Sequence, residues 1–136
     1  MLNEDMLRLE IVTPEKRILD ETVDAVTIPT ANGEVGILPN HAPLISGLKS
    51  GVLSYSKAGA SARMVISGGF VEVGADKVSV LADVAETASE IDVERARTEQ
   101  AEAEKTLGAW NGTEEDFEIE KDKLERAQAR LQLAKG

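Results

Sequence analysis

Cysteine is absent and histidine occurs once, as His41. No disulfide framework, thiolate metal centre or multi-histidine zinc site can therefore be built from this chain. Acidic residues are plentiful, but no loop spaces them in the calcium-binding manner of an EF-hand. Aromatic residues make up only 3% of 136 residues, namely Tyr55, Phe70, Trp110 and Phe117. Any core must be aliphatic. Positive charge is also scarce, with 15 basic against 25 acidic residues and a formal net charge of -10. That balance argues against a nucleic-acid binder and against adsorption to an anionic membrane surface. No apolar run approaches the ~20 residues needed to span a bilayer, so direct membrane insertion is not expected. The opening Met1-Leu2-Asn3-Glu4-Asp5 lacks the basic and apolar regions of a targeting peptide. The expectation is a soluble, cytoplasmic protein.

What is present divides into two halves near Ala88. Residues 1–88 hold all four prolines, eight of eleven glycines and 17 of the 20 Val and Ile residues. Residues 89–136 hold no proline and 21 charged residues out of 48. β-Branched side chains suit pleated strands, and Gly and Pro punctuate turns, so the first half reads as all-β. Nine strands are expected there, at 6–13, 16–20, 23–29, 33–38, 43–49, 51–57, 63–67, 69–73 and 77–82. Many short strands with regular turn signals give a sandwich or flattened barrel.

The second half reads as an antiparallel helical hairpin, making the whole an α+β protein. Ser89 and Asp92 are candidate N-caps, Asn111-Gly112 is a break, and Thr113 with Asp116 opens a second helix. A seven-residue step places Val93, Gln100, Leu107 and Ala96, Ala103, Trp110 on one seam. Phe117, Leu124, Leu131 with Ala127 and Ala134 form the facing seam. Alanine-rich seams bury little area, so the hairpin should be marginally stable alone.

Four segments carry a resemblance. They are Gly33-Glu34-Val35-Gly36-Ile37-Leu38-Pro39-Asn40-His41-Ala42-Pro43-Leu44, Val65-Ile66-Ser67-Gly68-Gly69-Phe70-Val71-Glu72-Val73, Val78-Ser79-Val80-Leu81-Ala82-Asp83 and Ile91-Asp92-Val93-Glu94-Arg95-Ala96. In this order and spacing the chain resembles the epsilon subunits of bacterial F-type ATP synthases along essentially its whole length. The resemblance implies a non-catalytic rotor subunit, coupling proton-driven rotation to ATP synthesis. Residues 1–88 would form a β-sandwich on the γ stalk and c-ring. Residues 89–136 would form a regulatory hairpin that extends toward the α and β subunits and inhibits ATP hydrolysis. It also implies a peripheral position on the cytoplasmic face of the bacterial membrane. The competing readings are a free-standing, chaperone-like interaction module and a small nucleotide sensor outside any motor.

The resemblance assigns Glu34 to the c-ring contact and His41 to the stalk interface. Read for themselves, Glu34 is an equally good solvated turn glutamate, and His41 is better suited to ordering its loop than to catalysis. No cofactor is required, but some members of the family bind regulatory ATP between the helices. Glu86, Asp92, Arg95, Arg126 and Arg130 match those positions, while Glu102 replaces a basic one. An exposed Asp92/Arg95 pair and a solvated basic face explain the same residues without nucleotide. Lys121, Lys123, Arg126 and Arg130 form a candidate inhibitory patch for acidic segments of the β subunits. No P-loop, GxGxxG or nucleophile elbow is present, so no catalytic residue is assigned.

Overall fold

A computed structural model describes residues 6–135. The acidic segment Met1–Asp5, with its lack of a targeting signal, lies outside the described residues. Ten strands are followed by a 3-10 turn and two helices. The strands are β1 Leu7–Val12, β2 Arg17–Val23, β3 Ala25–Thr30, β4 Gly33–Ile37, β5 Leu44–Gly47, β6 Gly51–Lys57, β7 Ala60–Ser67, β8 Phe70–Val73, β9 Lys77–Leu81 and β10 Val84–Glu86. They form two five-stranded sheets, ordered β2-β1-β9-β8-β5 and β10-β7-β6-β3-β4. All pairings are antiparallel except β1 with β9.

The period of two decides which side chains enter the core. Leu7, Leu9 and Ile11 of β1 are fully buried, as are Val71 of β8 and Val78 and Val80 of β9. They meet Val26, Ile28, Leu53, Met64 and Ile66 from the other sheet in one aliphatic cluster. The sequence places nine of the ten strands. It misses β10, whose three residues Val84, Ala85 and Glu86 follow β9 after only Ala82-Asp83. A segment that short carries no readable alternation.

β7 is the informative strand. Met64, Val65, Ile66 and Ser67 are all buried, so both of its faces are covered. Met64 and Ile66 face the sandwich core, whereas Val65 belongs to a second cluster with Ala129 and Leu133. Those two come from helix α2, Glu114–Ala134, which lies against β6 and β7 and pairs with helix α1, Val93–Gly108. The hairpin thus covers the outside of the second sheet.

Both helix starts are capped by side chains. Asp92 accepts from the backbone N–H of Arg95 at 3.1 Å, and Thr113 accepts from that of Asp116 at 3.1 Å. Ser89 is not a helix cap; it lies inside the 3-10 turn Ala88–Glu90, whose cap is Thr87. Ala96, Ala103 and Ala127 occupy the expected seam between the helices. Ala134 does not, and is exposed. Instead Ala129 and Leu133 make a second apolar face, which a single-seam reading of α2 overlooks.

The chain passes between the sheets at Gly68-Gly69, where φ is +71° and +83°. A Cβ on Gly69 would collide with the Leu81 carbonyl oxygen, and one on Gly68 with the Asp83 carboxylate. Space and backbone both demand glycine here. Gly69→Ala is therefore expected to cost more than ~1 kcal/mol of stability, read as a lower urea-unfolding midpoint. Gly36→Ala, with open space and an ordinary φ, should leave that midpoint nearly unchanged.

Candidate functional site

The contact between hairpin and sandwich is narrow and mixed. Val65, Ala129 and Leu133 form its buried apolar centre, with Val52 and Ile91 partly buried beside them. Burying a Val or Leu side chain is worth ~1.5–3 kcal/mol, so this seam supplies only a few kcal/mol before ordering costs. Polar contacts flank it. Ser50 Oγ donates to Asp122 Oδ1 at 2.7 Å. With its only proton committed there, it accepts from Ser67 Oγ, also at 2.7 Å. Lys49 Nζ lies 3.2 Å from Glu125 Oε2.

Arg130 ties three elements together. Its Nε donates to Glu86 Oε1 of β10 at 2.7 Å, and its Nη1 donates to Glu99 Oε2 of α1 at 3.1 Å. The side chain is only 18% exposed, so solvent screens these pairs less than a surface bridge. Glu99 also accepts from Arg95 Nε at 3.0 Å. A cleft of about 150 Å³ at this junction is lined by Glu86, Glu90, Asp92, Arg95, Ala96 and Arg130. The capping box formed by Thr87 and Glu90 borders it. Hydrogen bonds from the Thr87 backbone, then from its hydroxyl, hold the Glu90 carboxyl below the usual glutamate range.

Four of the five expected nucleotide positions therefore meet: Glu86, Asp92, Arg95 and Arg130. Arg126 does not line that cleft; its Nε is buried and, among the described residues, has no hydrogen-bond partner. Glu102 lies elsewhere, in a shallow concavity with Lys105, Trp110 and Gly112 at the hairpin tip. The negative charge facing a phosphate in the cleft is supplied by Glu86, Glu90 and Asp92 instead. Sequence reasoning missed Glu90 and Glu99. Both had local signals, Thr87-x-x-Glu90 as a capping box and Arg95/Glu99 as an i,i+4 pair.

The four residues of the candidate basic patch are dispersed while the hairpin is docked. Lys121 and Lys123 are exposed, the latter 3.4 Å from Glu120, whereas Arg126 and Arg130 are half-buried. Glu34 is exposed on β4, the edge strand of its sheet. His41 lies beyond the far end of β4, roughly 13 Å along an extended chain from residue 34 to 38. Its Nδ1–H donates to the Ala42 carbonyl at 2.6 Å, and its backbone N–H donates to Leu38 at 3.2 Å. These bonds shape its own loop.

The opposite sheet presents a different surface. Register places Phe70, Leu81 and Val12 side by side on its outer face, with Ile45 nearby on edge strand β5. Ile45 is 74% exposed, Phe70 45% and Leu81 38%, so this face leaves several large apolar side chains in solvent. The same face carries Glu10 directly opposite Asp20, an unfavourable pair in isolation. Arg17 bridges both, Arg8 binds Asp20 at 2.7 Å, and Lys77 approaches Glu10. The Arg8 hydrogen bond lowers the Asp20 carboxyl from its ordinary range.

Comparisons with known proteins agree with this architecture. Residues 6–88 match the family model "ATP synthase, Delta/Epsilon chain, beta-sandwich domain". Residues 89–135 match "ATP synthase, Delta/Epsilon chain, long alpha-helix domain". The chain belongs to the delta/epsilon family of ATP synthase chains. Its curated relatives bear the name ATP synthase epsilon chain. One from Geotalea uraniireducens is 45% identical over 130 residues, covering 96% of this chain and 94% of the relative. One from Desulforamulus reducens is 45% identical over 127 residues, covering 93% and 96%. Among solved structures, the Euglena gracilis mitochondrial ATP synthase (OSCP/F1/c-ring) contains a chain with TM-score 0.80 and 28% identity, covering 97% of this chain and 82% of that one. A chain of the Tetrahymena thermophila enzyme's central stalk and c-ring shares the fold at TM-score 0.63 and 16% identity.

Removing Arg130 should loosen the hairpin selectively. Arg130→Gln leaves Glu86 without its cation and Glu99 with Arg95 alone, and is expected to cost about 1–2 kcal/mol of hairpin docking. Native-state hydrogen exchange would show it as faster exchange in α1 and α2 with β1, β8 and β9 unchanged.

Proposed function

We propose that this chain is a non-catalytic central-stalk subunit whose sandwich is a fixed coupling element and whose hairpin is a releasable brake. Family membership along nearly the whole length supports the stalk role. The observation that carries the brake is the docking of the hairpin by one small apolar seam and a few polar bridges. A seam worth a few kcal/mol is strong enough to hold and weak enough to be exchanged for other contacts.

On this reading the sandwich binds the γ stalk and the c-ring. The apolar face bearing Ile45, Phe70 and Leu81 suits the first, because exposed apolar patches of this kind fit protein interfaces. Glu34 serves the ring as an exposed carboxylate on an edge strand. Docking and release occur on opposite sheets, so the hairpin can leave without disturbing the stalk contact. Release frees Arg126 and Arg130 to join Lys121 and Lys123 on the extended helix, where acidic β-subunit segments would neutralise them. Among the described residues no helix is long and apolar enough to cross a membrane. The chain would reach the cytoplasmic face of a bacterial membrane as a peripheral part of the complex.

Regulatory ATP would have to act through the Arg130 cleft. A triphosphate there must displace Glu86 and Glu99 from Arg130 and tolerate Glu90 and Asp92, so the carboxylates act as the resident occupants. An ATP titration followed by NMR is expected to leave the signals of Glu86, Asp92, Arg95 and Arg130 unmoved up to millimolar nucleotide. Saturable shifts confined to them would establish the nucleotide as a second ligand.

The decisive measurement uses a catalytic head lacking this subunit. Adding the full chain should bind γ and slow ATP hydrolysis, whereas a version ending at Ala88 should bind equally well and leave the rate unchanged. Equal inhibition by both would place the brake in the sandwich. Failure of both to bind would return the chain to the free-standing module class.

A further inference from the structure

Asn-Gly occurs twice, at Asn32-Gly33 and Asn111-Gly112; all four residues are exposed, and the structure restrains the two turns differently. An asparagine followed by glycine is prone to cyclise, because no side chain on glycine hinders attack by its backbone nitrogen on the asparagine amide carbon. The reaction needs that nitrogen to be free of a fixed hydrogen bond and the asparagine to be unpacked.

At the β3–β4 turn Asn32 is exposed too, but the backbone on both sides of the Asn32–Gly33 bond is held. Gly33 is the closing residue of the hairpin, registered opposite Thr30. Thr30 Oγ1 donates to the Gly33 carbonyl at 2.6 Å and accepts from the Asn32 N–H at 3.2 Å. Turn and asparagine are held in one geometry.

At the helical turn the restraints are missing. Asn111 and Gly112 are both exposed and lie between the end of α1 at Gly108 and the cap Thr113. Among the described residues, no hydrogen bond engages the Asn111 amide or the Gly112 N–H. The ordered groups flank them: Trp110 Nε1 donates to the Thr113 carbonyl at 3.2 Å, and its ring packs edge-on against Phe117 at 5.7 Å. That indole also explains why position 112 is glycine. A Cβ there would come within 2.9 Å of Trp110 Cζ2. The packing that orders the tip therefore keeps the reactive dipeptide in place.

We propose that Asn111 is a site of spontaneous covalent modification, an ageing mark at the tip of the hairpin. The Gly112 nitrogen attacks the Asn111 side-chain carbonyl carbon, losing its proton and expelling ammonia as the carbon–nitrogen bond to the side-chain amide breaks. A five-membered succinimide results. Water opens it at the former side-chain carbonyl to give aspartate, or at the backbone carbonyl to give isoaspartate, in which the main chain runs through an extra methylene. Neither route changes oxidation state. Each adds a carboxylate beside Glu114, Glu115 and Asp116, making the leading end of an already acidic tip more so, and the isoaspartate form lengthens the turn that Trp110 and Thr113 close.

The test is to age the intact chain in mildly alkaline buffer and follow both Asn-Gly peptides by mass spectrometry and isoaspartate-specific methyl labelling. A parallel sample is kept unfolded in urea. The expected result is conversion at Asn111 several-fold faster than at Asn32 in the folded chain, with the two rates drawing together in urea. Asn111→Gln should abolish the Asn111 label and leave thermal unfolding unchanged. Asn111 converting no faster than Asn32 when folded, while both convert in urea, would overturn the proposal by showing that the turn shields it.

Discussion

Arg130 sits on α2, and its guanidinium bonds β10 and α1 at once. Glu86 and Glu99 come from different elements, and their common partner joins them where sandwich and hairpin meet. Carboxylates this close repel unless a cation lies between them. The same arrangement is stable and conditional: intact, it closes the junction; with the arginine withdrawn, β10 loses its ionic tie to α1 and α2. The apolar seam of Val65, Ala129 and Leu133 supplies attraction without direction, and the arginine supplies direction.

The two faces of the sandwich have been given separate tasks by the strand register. Along β7 and β8, alternate residues enter one core, and what remains outside differs by sheet. Val65 and Ser67 meet the hairpin, whereas Phe70 meets solvent across the Gly68-Gly69 crossing. Only two residues, Gly68 and Gly69, separate a surface that is covered within the chain from one that is open to a partner. The two contacts fall on different sheets, which suits a part that must stay attached while its tail moves.

Much of this was legible in the sequence, and the failures have physical causes. The alternation of Val71 with Val73, and of Val78 with Val80, gave strand and face together, because one side of that sheet stays in water. The run Met64-Val65-Ile66 breaks alternation, and that break is the trace left by the hairpin on β7. It was readable as strand but not as contact, since nothing local says what lies on the far side. The seven-residue step reads one seam on α2 where the helix has two, because Ala129 and Leu133 fall outside the step that links it to α1. At the junction the arginines and Glu86 were found by resemblance. Glu99, their shared partner, comes from another helix turn, and only tertiary geometry brings it to Arg130. β10 was lost for a simpler reason: three residues hold less than two periods of any pattern.

The parallel pairing of β1 with β9 has a consequence for how the protein is made. Leu9 lies beside Val78, with almost the whole sandwich sequence between them. The first strand to leave the ribosome can pair early with β2, yet its other edge waits until the ninth strand exists. Closing so long a loop is entropically costly, and topologies dominated by such contacts fold slowly. The hairpin is the reverse case, two adjacent helices joined by a short turn. Synthesis therefore delivers the slow, framework half first and the fast, movable half last, onto a surface already complete.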